Sequence, residues 1–401
     1  MTPLTLLLDL DDTLISNDIN AFQYAYVKAL GKKLSPFVDT PKMAAELIRA
    51  IDGMIAKNTA RLTLEQAFDD DFYPAIGVSK EEVRNAIDEF YIEIFPTLQP
   101  LTSPRPQAIS LVEEAFKRGW QVVVATNPLF PRTAIIQRLE WAGLSPQKYP
   151  FSLITDYEGF HFCKPNPAYF SEILATIGYP DQPAVMVGDT PIMDLVPAAQ
   201  LGIPGYWVNQ PADSSYEGAH TLSACGDLEG VIPWIDSIYT RLEKPGYTTP
   251  VQLSAHLAVV PASFQTYTSA LDPAAWQRKP TESEWSPVEI TAHLRDVDRE
   301  VYLPRLKRIL ENDNPFLPGE DTDRWAELRQ YNTLDGCSTL QGFFAARQTL
   351  IDLISNLPAE AWDRPARHAI FGPTTLAEMV TFITTHDRAH VQQLNSAISA
   401  S

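Results

Sequence analysis

Asp9 and Asp11 close the run Leu4-Thr5-Leu6-Leu7-Leu8-Asp9-Leu10-Asp11, and two carboxylates at the end of an apolar stretch suit a division of labour. Residues two apart on an extended chain leave on the same side, so one acid can attack an electrophile while the other moves a proton. On these residues alone, an acidic turn capping a helix is the competing reading. Further along, Gln121–Val124 leads to Thr126 and Asn127, whose hydroxyl, amide and backbone N–H groups suit phosphate oxygens. Lys164 precedes Pro165-Asn166-Pro167, an extended lead into a helix that can aim an ammonium inward. After Ala184–Val187, Gly188 is followed by Asp189 and Asp194, carboxylates of the kind a hard cation such as Mg²⁺ prefers.

A second group lies near the other end. His386 and His390 are one helical turn apart, and His293 can supply a third imidazole to a divalent metal with an open coordination position. No glutamate follows His386, so the metalloprotease pattern is absent. The bland alternative is two surface histidines and one core histidine. His256 and His368 are read as structural, with His256 able to lie near the same end of the helices, and Asp296, one turn after His293, is read as facing solvent ahead of orienting a ligand.

The elements that must position these residues follow from periodicity. Apolar runs ending in polar residues predict parallel strands that deliver side chains to the carboxyl edge of a sheet, where open α/β sheets do chemistry. Between Asp18 and Leu98 the pattern is helical, with Asp18 as a cap, Pro41 in a first turn and Ser79-Lys80-Glu81-Glu82 as a capping box. Asp69-Asp70-Asp71-Phe72-Tyr73-Pro74 is expected to interrupt that pattern as solvated surface or a helix end. The distance from Asp9 to Thr126 exceeds what one crossover needs, which makes residues 18–98 an inserted helical domain. From Glu243 to Pro250 the sequence reads as a linker. Beyond it, helices at about 250–270, 286–311, 339–356 and 374–399 suffice for a bundle, with almost no strand signal.

Composition bounds the rest. The 401 residues suggest two or three domains, and 31 basic against 50 acidic side chains disfavour nucleic acid or an anionic membrane as partner. No apolar run is long enough to span a bilayer, and no basic region precedes the Leu-rich run, which reads as a strand rather than a signal. Cys163, Cys225 and Cys337 are scattered and odd in number, so a reducing, cytoplasmic setting is expected. His161 and Cys163 beside Lys164 read as a loop histidine and a packed side chain.

The ordered set Asp9/Asp11, Thr126, Lys164 and Asp189/Asp194 resembles the haloacid dehalogenase-like (HAD) hydrolase superfamily over about residues 1–235. The resemblance implies a Rossmann-like α/β core (1–17 and 99–240) with a helical cap (18–98). It makes Asp9 the nucleophile and Asp11 the general acid/base. Thr126, with Asn127 beside it, would hold the phosphoryl group, Lys164 would balance its charge, and Asp9, Asp11, Asp189 and Asp194 would hold Mg²⁺. Dehalogenases of the family lack an acid at the Asp11 position, so phosphatase chemistry on a small phosphorylated metabolite is expected, with a phosphomutase as the alternative. The glycine at 159 stands further from Lys164 than the family pattern leads one to expect.

Trp285-Ser286-Pro287-Val288-Glu289-Ile290, His293-Leu294 and His386 through Gln393 resemble the DinB/YfiT-like four-helix superfamily over about residues 250–398, after a linker at 241–250. That implies an all-α bundle (251–401) binding a second divalent metal, Zn²⁺ or Ni²⁺, through His293, His386 and His390. Thiol-dependent transferase activity or a structural, dimerising role are its open alternatives, and a homodimer is kept in view.

Overall fold

The computed structural model describes residues 3–399, so positions 1–2 and 400–401 of the expected domain spans lie outside it. The chain divides into two compact units: residues up to Ile173 with Pro180–Pro245, and Leu174–Tyr179 with Gly246 onward.

In the first unit, strand β1 (Thr5–Leu8) is followed by a short strand β2 (Ile15–Asn17) and a helical insertion. The insertion consists of α1 (Ile19–Leu34), α2 (Thr40–Ala56), α3 (Leu64–Ile76) and α4 (Lys80–Glu89). Asp18, Asp39, Thr63 and Ser79 cap these helices, the last two through reciprocal capping boxes. The expected interruption at Asp69–Pro74 is absent. α3 runs through it, with Asp69 paired to Lys80 and Asp71 to Arg49, and Pro74 falls in its last turn. Phe22, Tyr26, Phe90, Phe95 and Trp141 pack with ring centroids 5.2–6.5 Å apart and form an aromatic centre for the insertion.

The chain returns through β3 (Thr102–Pro104), which pairs antiparallel with β2. Then come α5 (Pro106–Lys117), β4 (Gln121–Val124), α6 (Arg132–Trp141), β5 (Leu153–Ile154), α7 (Pro167–Thr176) and β6 (Ala184–Gly188). The unit closes with α8 (Val196–Gln200), β7 (Gly205–Val208), β8 (Ala224–Gly226) and α9 (Val231–Ile238). Six strands form one parallel sheet in the order β5-β4-β1-β6-β7-β8. Leu8 pairs with both Val124 and Val187, so the ends of β4, β1 and β6 are level and their following residues share one edge. β1 is buried throughout, as a parallel strand covered on both faces must be.

The second unit is built on α10 (Pro250–Thr268), α11 (Pro273–Gln277), α12 (Pro287–Val297) and α13 (Leu303–Glu311), the last two joined by a π turn at Asp298–Tyr302. β9 (Phe316–Leu317), α14 (Trp325–Leu328), α15 (Gly336–Ile354), β10 (Pro365–His368), β11 (Gly372–Thr375) and α16 (Leu376–Ser399) follow. The α10, α12–α13, α15 and α16 segments are the four expected long helices. The small sheet β11-β10-β9 was not expected from the sequence, because its strands are two to four residues long and carry Pro365 and Pro373.

Candidate active site and metal centre

Asp9 leaves the end of β1 beside Lys164, whose Nζ donates to Asp9 Oδ1 at 2.7 Å and to Asp194 Oδ1. All three side chains are buried. One carboxylate oxygen each from Asp9, Asp189 and Asp194 lies within 4.8 Å of the others. Asp194 folds back over Gly188, where a Cβ would meet its carboxylate at 2.5 Å, so only glycine permits this approach. Thr190 donates its N–H to Asp194 at 3.1 Å and its hydroxyl to Asp189 at 3.1 Å.

The electrostatics describe carboxylates crowded for a cation. Burial first, then the charges of Asp9 and Asp194, push Asp189 up to about 7. Asp194 is likewise raised, by burial ahead of the opposing pull of Lys164. Burial opposes the charge on Lys164, yet Asp194 and Asp9 outweigh it and hold the ammonium above its usual range. Three oxygen donors of this kind fit a hard divalent ion.

Thr126 is buried beside them, its carbonyl fixed by Thr155 Oγ1 and Tyr169 Oη at 2.7 Å each. Asn127 Oδ1 accepts the Lys164 N–H at 3.1 Å, which ties the two loops together. Asp11 is placed differently from the expectation. Its carboxylate is not in the three-acid cluster but is held by Arg138, through Nη1 at 2.9 Å and through Nη2, and by Asn17 Nδ2 at 2.8 Å. Arg138 is fully buried under Phe22, 4.8 Å from the ring centroid, and burial lowers it to about 10.

Two residues outside the sequence expectations hold this geometry. Arg138 lies on the apolar stripe of α6 with Ile135, Leu139 and Ala142, and a charge on such a stripe was its one legible mark. Glu172 is the other, buried on α7. Its carboxylate accepts the His161 and Phe162 N–H groups at 3.1 Å and faces His161 Nδ1 at 2.7 Å. That clasp accommodates the long Gly159–Lys164 loop. His161 and Cys163 are both buried, and Cys163 Sγ contacts the Met54 carbonyl.

In the second unit, α12 supplies His293 and α16 supplies His386 and His390. Nε2 of His386 lies 3.1 Å from Nε2 of His293 and of His390. Tetrahedral ligands at ~2.0–2.1 Å from a metal would stand about 3.3 Å apart, so this spacing fits three nitrogens around one ion. Burial first, then neighbouring imidazoles, push His293 and His386 down to about 3, and burial lowers His390 too, which favours the uncharged imidazole that can offer a lone pair. Gln393 Oε1 lies 2.8 Å from His390 Nδ1, which favours the tautomer that leaves Nε2 free, and Trp285 stacks on the same ring. Asp296 does not face solvent as expected. It is buried against Arg295, Arg329 and Tyr331, and burial's effect on its carboxyl is overcome by these donors.

Beneath the histidines, Arg347 bridges Asp298 at 2.7 and 3.2 Å and Asp387 at 2.6 and 2.8 Å, all three fully buried. His256 is also fully buried, 3.8 Å from Asp387.

Residues 4–202 match the family model of haloacid dehalogenase-like hydrolases, and residues 256–394 match that of the DinB superfamily. The chain thus joins a haloacid dehalogenase-like hydrolase region to a DinB-superfamily region. Among relatives, the phosphoserine phosphatase of Thermus thermophilus is 28% identical over 214 residues, covering 52% of this chain and 77% of that protein. The pyrimidine 5'-nucleotidase YjjG of Escherichia coli is 29% identical over 136 residues, 33% of this chain and 58% of that one. Among solved structures, YfiT from Bacillus subtilis, described as "a probable metal-dependent hydrolase with an unusual four-helix bundle topology", is similar at 18% identity and a TM-score of 0.35, covering 39% of this chain and 89% of that one. Among the described residues, no helix is long and apolar enough to cross a membrane.

Proposed function

We propose that the first unit hydrolyses a small phosphomonoester with the help of Mg²⁺ and through an aspartyl-phosphate on Asp9. The observation that carries this reading is Lys164 held between Asp9 and Asp194 with Asp189 alongside. A carboxylate attacking a phosphate dianion meets repulsion unless positive charge is already in place. Mg²⁺ bound by Asp9, Asp189 and Asp194 would supply part of that charge. Lys164 supplies the rest and orients Asp9 for in-line attack. Thr126 and Asn127 hold the transferring oxygens. Asp11 takes up a proton from solvent as it leaves Arg138, gives that proton to the leaving alkoxide, and then takes one from the water that cleaves the aspartyl-phosphate, which restores its protonated form for the next turnover. Likeness to a phosphatase and a nucleotidase supports the phosphoryl chemistry.

His293, His386 and His390 hold a transition-metal ion, Zn²⁺ or Ni²⁺, in the second unit. The converging Nε2 atoms support this.

Asp9→Asn should abolish phosphate release from a metabolite panel in Mg²⁺ and leave the circular dichroism spectrum intact; normal turnover would sink the mechanism. His386→Ala should lower bound transition metal per chain without slowing Mg²⁺-dependent hydrolysis. Unchanged metal content would reduce the three histidines to packing.

A further inference from the structure

Asn127, tied to Lys164 in the phosphoryl site, also lines a cavity of about 670 Å³ that runs up into the helical insertion. Met193, next to Asp194, lines it too, so the cavity opens beside the reacting atoms. Its volume falls in the range that encloses small ligands.

Its lining is apolar where a polar metabolite would need charge. Leu47, Ile51, Phe68, Phe72 and Tyr26 form much of the insertion side, and Phe130 faces them from the loop before α6. Phe68 stacks on Phe72 at 4.8 Å and meets Tyr157 edge-on at 6.5 Å, which leaves an aromatic wall. Tyr24 and Ile48, 70% and 56% exposed, extend the apolar surface to solvent. Among the described residues, no lysine, arginine or histidine lines the cavity. Asp52, itself exposed, is its one carboxylate, and Asn20, Gln23 and Asn127 are its amides. A substrate carboxylate there would lose water and gain no cation, which is costly. A ring would gain both buried area and aromatic contacts.

Building on the phosphatase reading above, we infer that the substrate is the phosphate ester of an uncharged, ring-bearing, largely apolar alcohol or phenol. The phosphate lies at Asp9 and Lys164, and the ring occupies the cavity between Ile51, Phe68 and Phe130.

The test compares kcat/KM of the full chain in Mg²⁺ for 1-naphthyl phosphate, O-phosphoserine and 2-phosphoglycolate. Differences of a few apolar groups in such a pocket amount to ~10–200-fold, so the naphthyl ester should lead by at least about tenfold. Ile51→Arg, or Ile48→Arg at the exposed mouth, should lower kcat/KM for the naphthyl ester and raise it for phosphoglycolate, whereas simple damage lowers both. Charged esters hydrolysed as well as the naphthyl ester in the wild type would overturn the inference and leave the phosphatase reading standing. Binding of 1-naphthyl phosphate to Asp9→Asn, followed by its fluorescence, separates the two. Binding without wild-type turnover of any ester retains the cavity assignment and removes the hydrolase mechanism; neither binding nor turnover overturns both.

Discussion

Replacing Arg347 with methionine tests how the second unit holds its histidines. The side chain makes four hydrogen bonds of 2.6–3.2 Å to Asp298 and Asp387, with its guanidinium 5.1 Å from the Phe343 ring. Methionine retains much of the apolar stem and removes the cation, which strands two carboxylates that are 0% exposed. Removing one partner of a buried ion pair costs about 3–5 kcal/mol, and with two acids stranded the upper end is expected. Because Asp387 follows His386 on α16, a loosened Asp387 should also lower bound transition metal. Replacing the whole triad by apolar residues of similar size is often neutral, so Arg347→Met with Asp298→Leu and Asp387→Leu should recover at least half of the lost stability. Guanidinium unfolding followed by far-ultraviolet circular dichroism, with metal content per chain, reads both effects. A single variant within about 1 kcal/mol of wild type, or a triple variant no better than the single one, refutes the reasoning.

Lys164→Met should lower the rate of phosphate release about 100- to 1,000-fold, the range for losing one preorganised charge donor; a drop under about tenfold in stopped assays would mean the ammonium is a spectator. His256 gives a pH dependence. Burial pushes its imidazole down to about 3, Asp387 opposing and Arg347 and Arg388 adding to the shift. The unfolded chain takes up this proton near ~6.5 and the folded one does not, so stability present above that pH is lost as pH falls, by about 1.4 kcal/mol per unit toward ~3. Denaturation midpoints of wild type and His256→Gln between neutral and mildly acidic pH should diverge, with the variant losing less; parallel lines would show that His256 is not the linked group.

The two groups of candidate residues were readable for a simple reason: each stands where a periodic pattern ends or repeats. β1, β4 and β6 are apolar runs whose next residues must emerge at one sheet edge, and His386 and His390 repeat at one helical turn. Charges that act through a distant partner left fainter traces. Arg138, Glu172, Arg347 and Asp387 each sit on an apolar helix stripe, which announces burial but does not name the opposite charge. Asp296 shows the same limit, since Arg329 and Tyr331, which bury it, come from segments more than thirty residues on, as does the Arg138 that holds Asp11. The β9, β10 and β11 strands were missed because two to four residues carry too little alternation to register.

The pairing of β2 with β3 makes the helical insertion a cassette. Ile15 faces Pro104 and Asn17 faces Thr102, so the chain leaves the sheet and comes back to it through adjacent, hydrogen-bonded strands. Arg105 then clamps the Asp12 and Thr13 carbonyls directly behind that pair. Everything between Asn17 and Thr102 could be exchanged for another helical segment with closely spaced ends, and β1, β4 and β6 would keep their register. Evolution, or an engineer, could therefore change what this sheet edge acts on, provided the new segment still covers Arg138 and the loop before Lys164, which Phe22 and Met54 now contact.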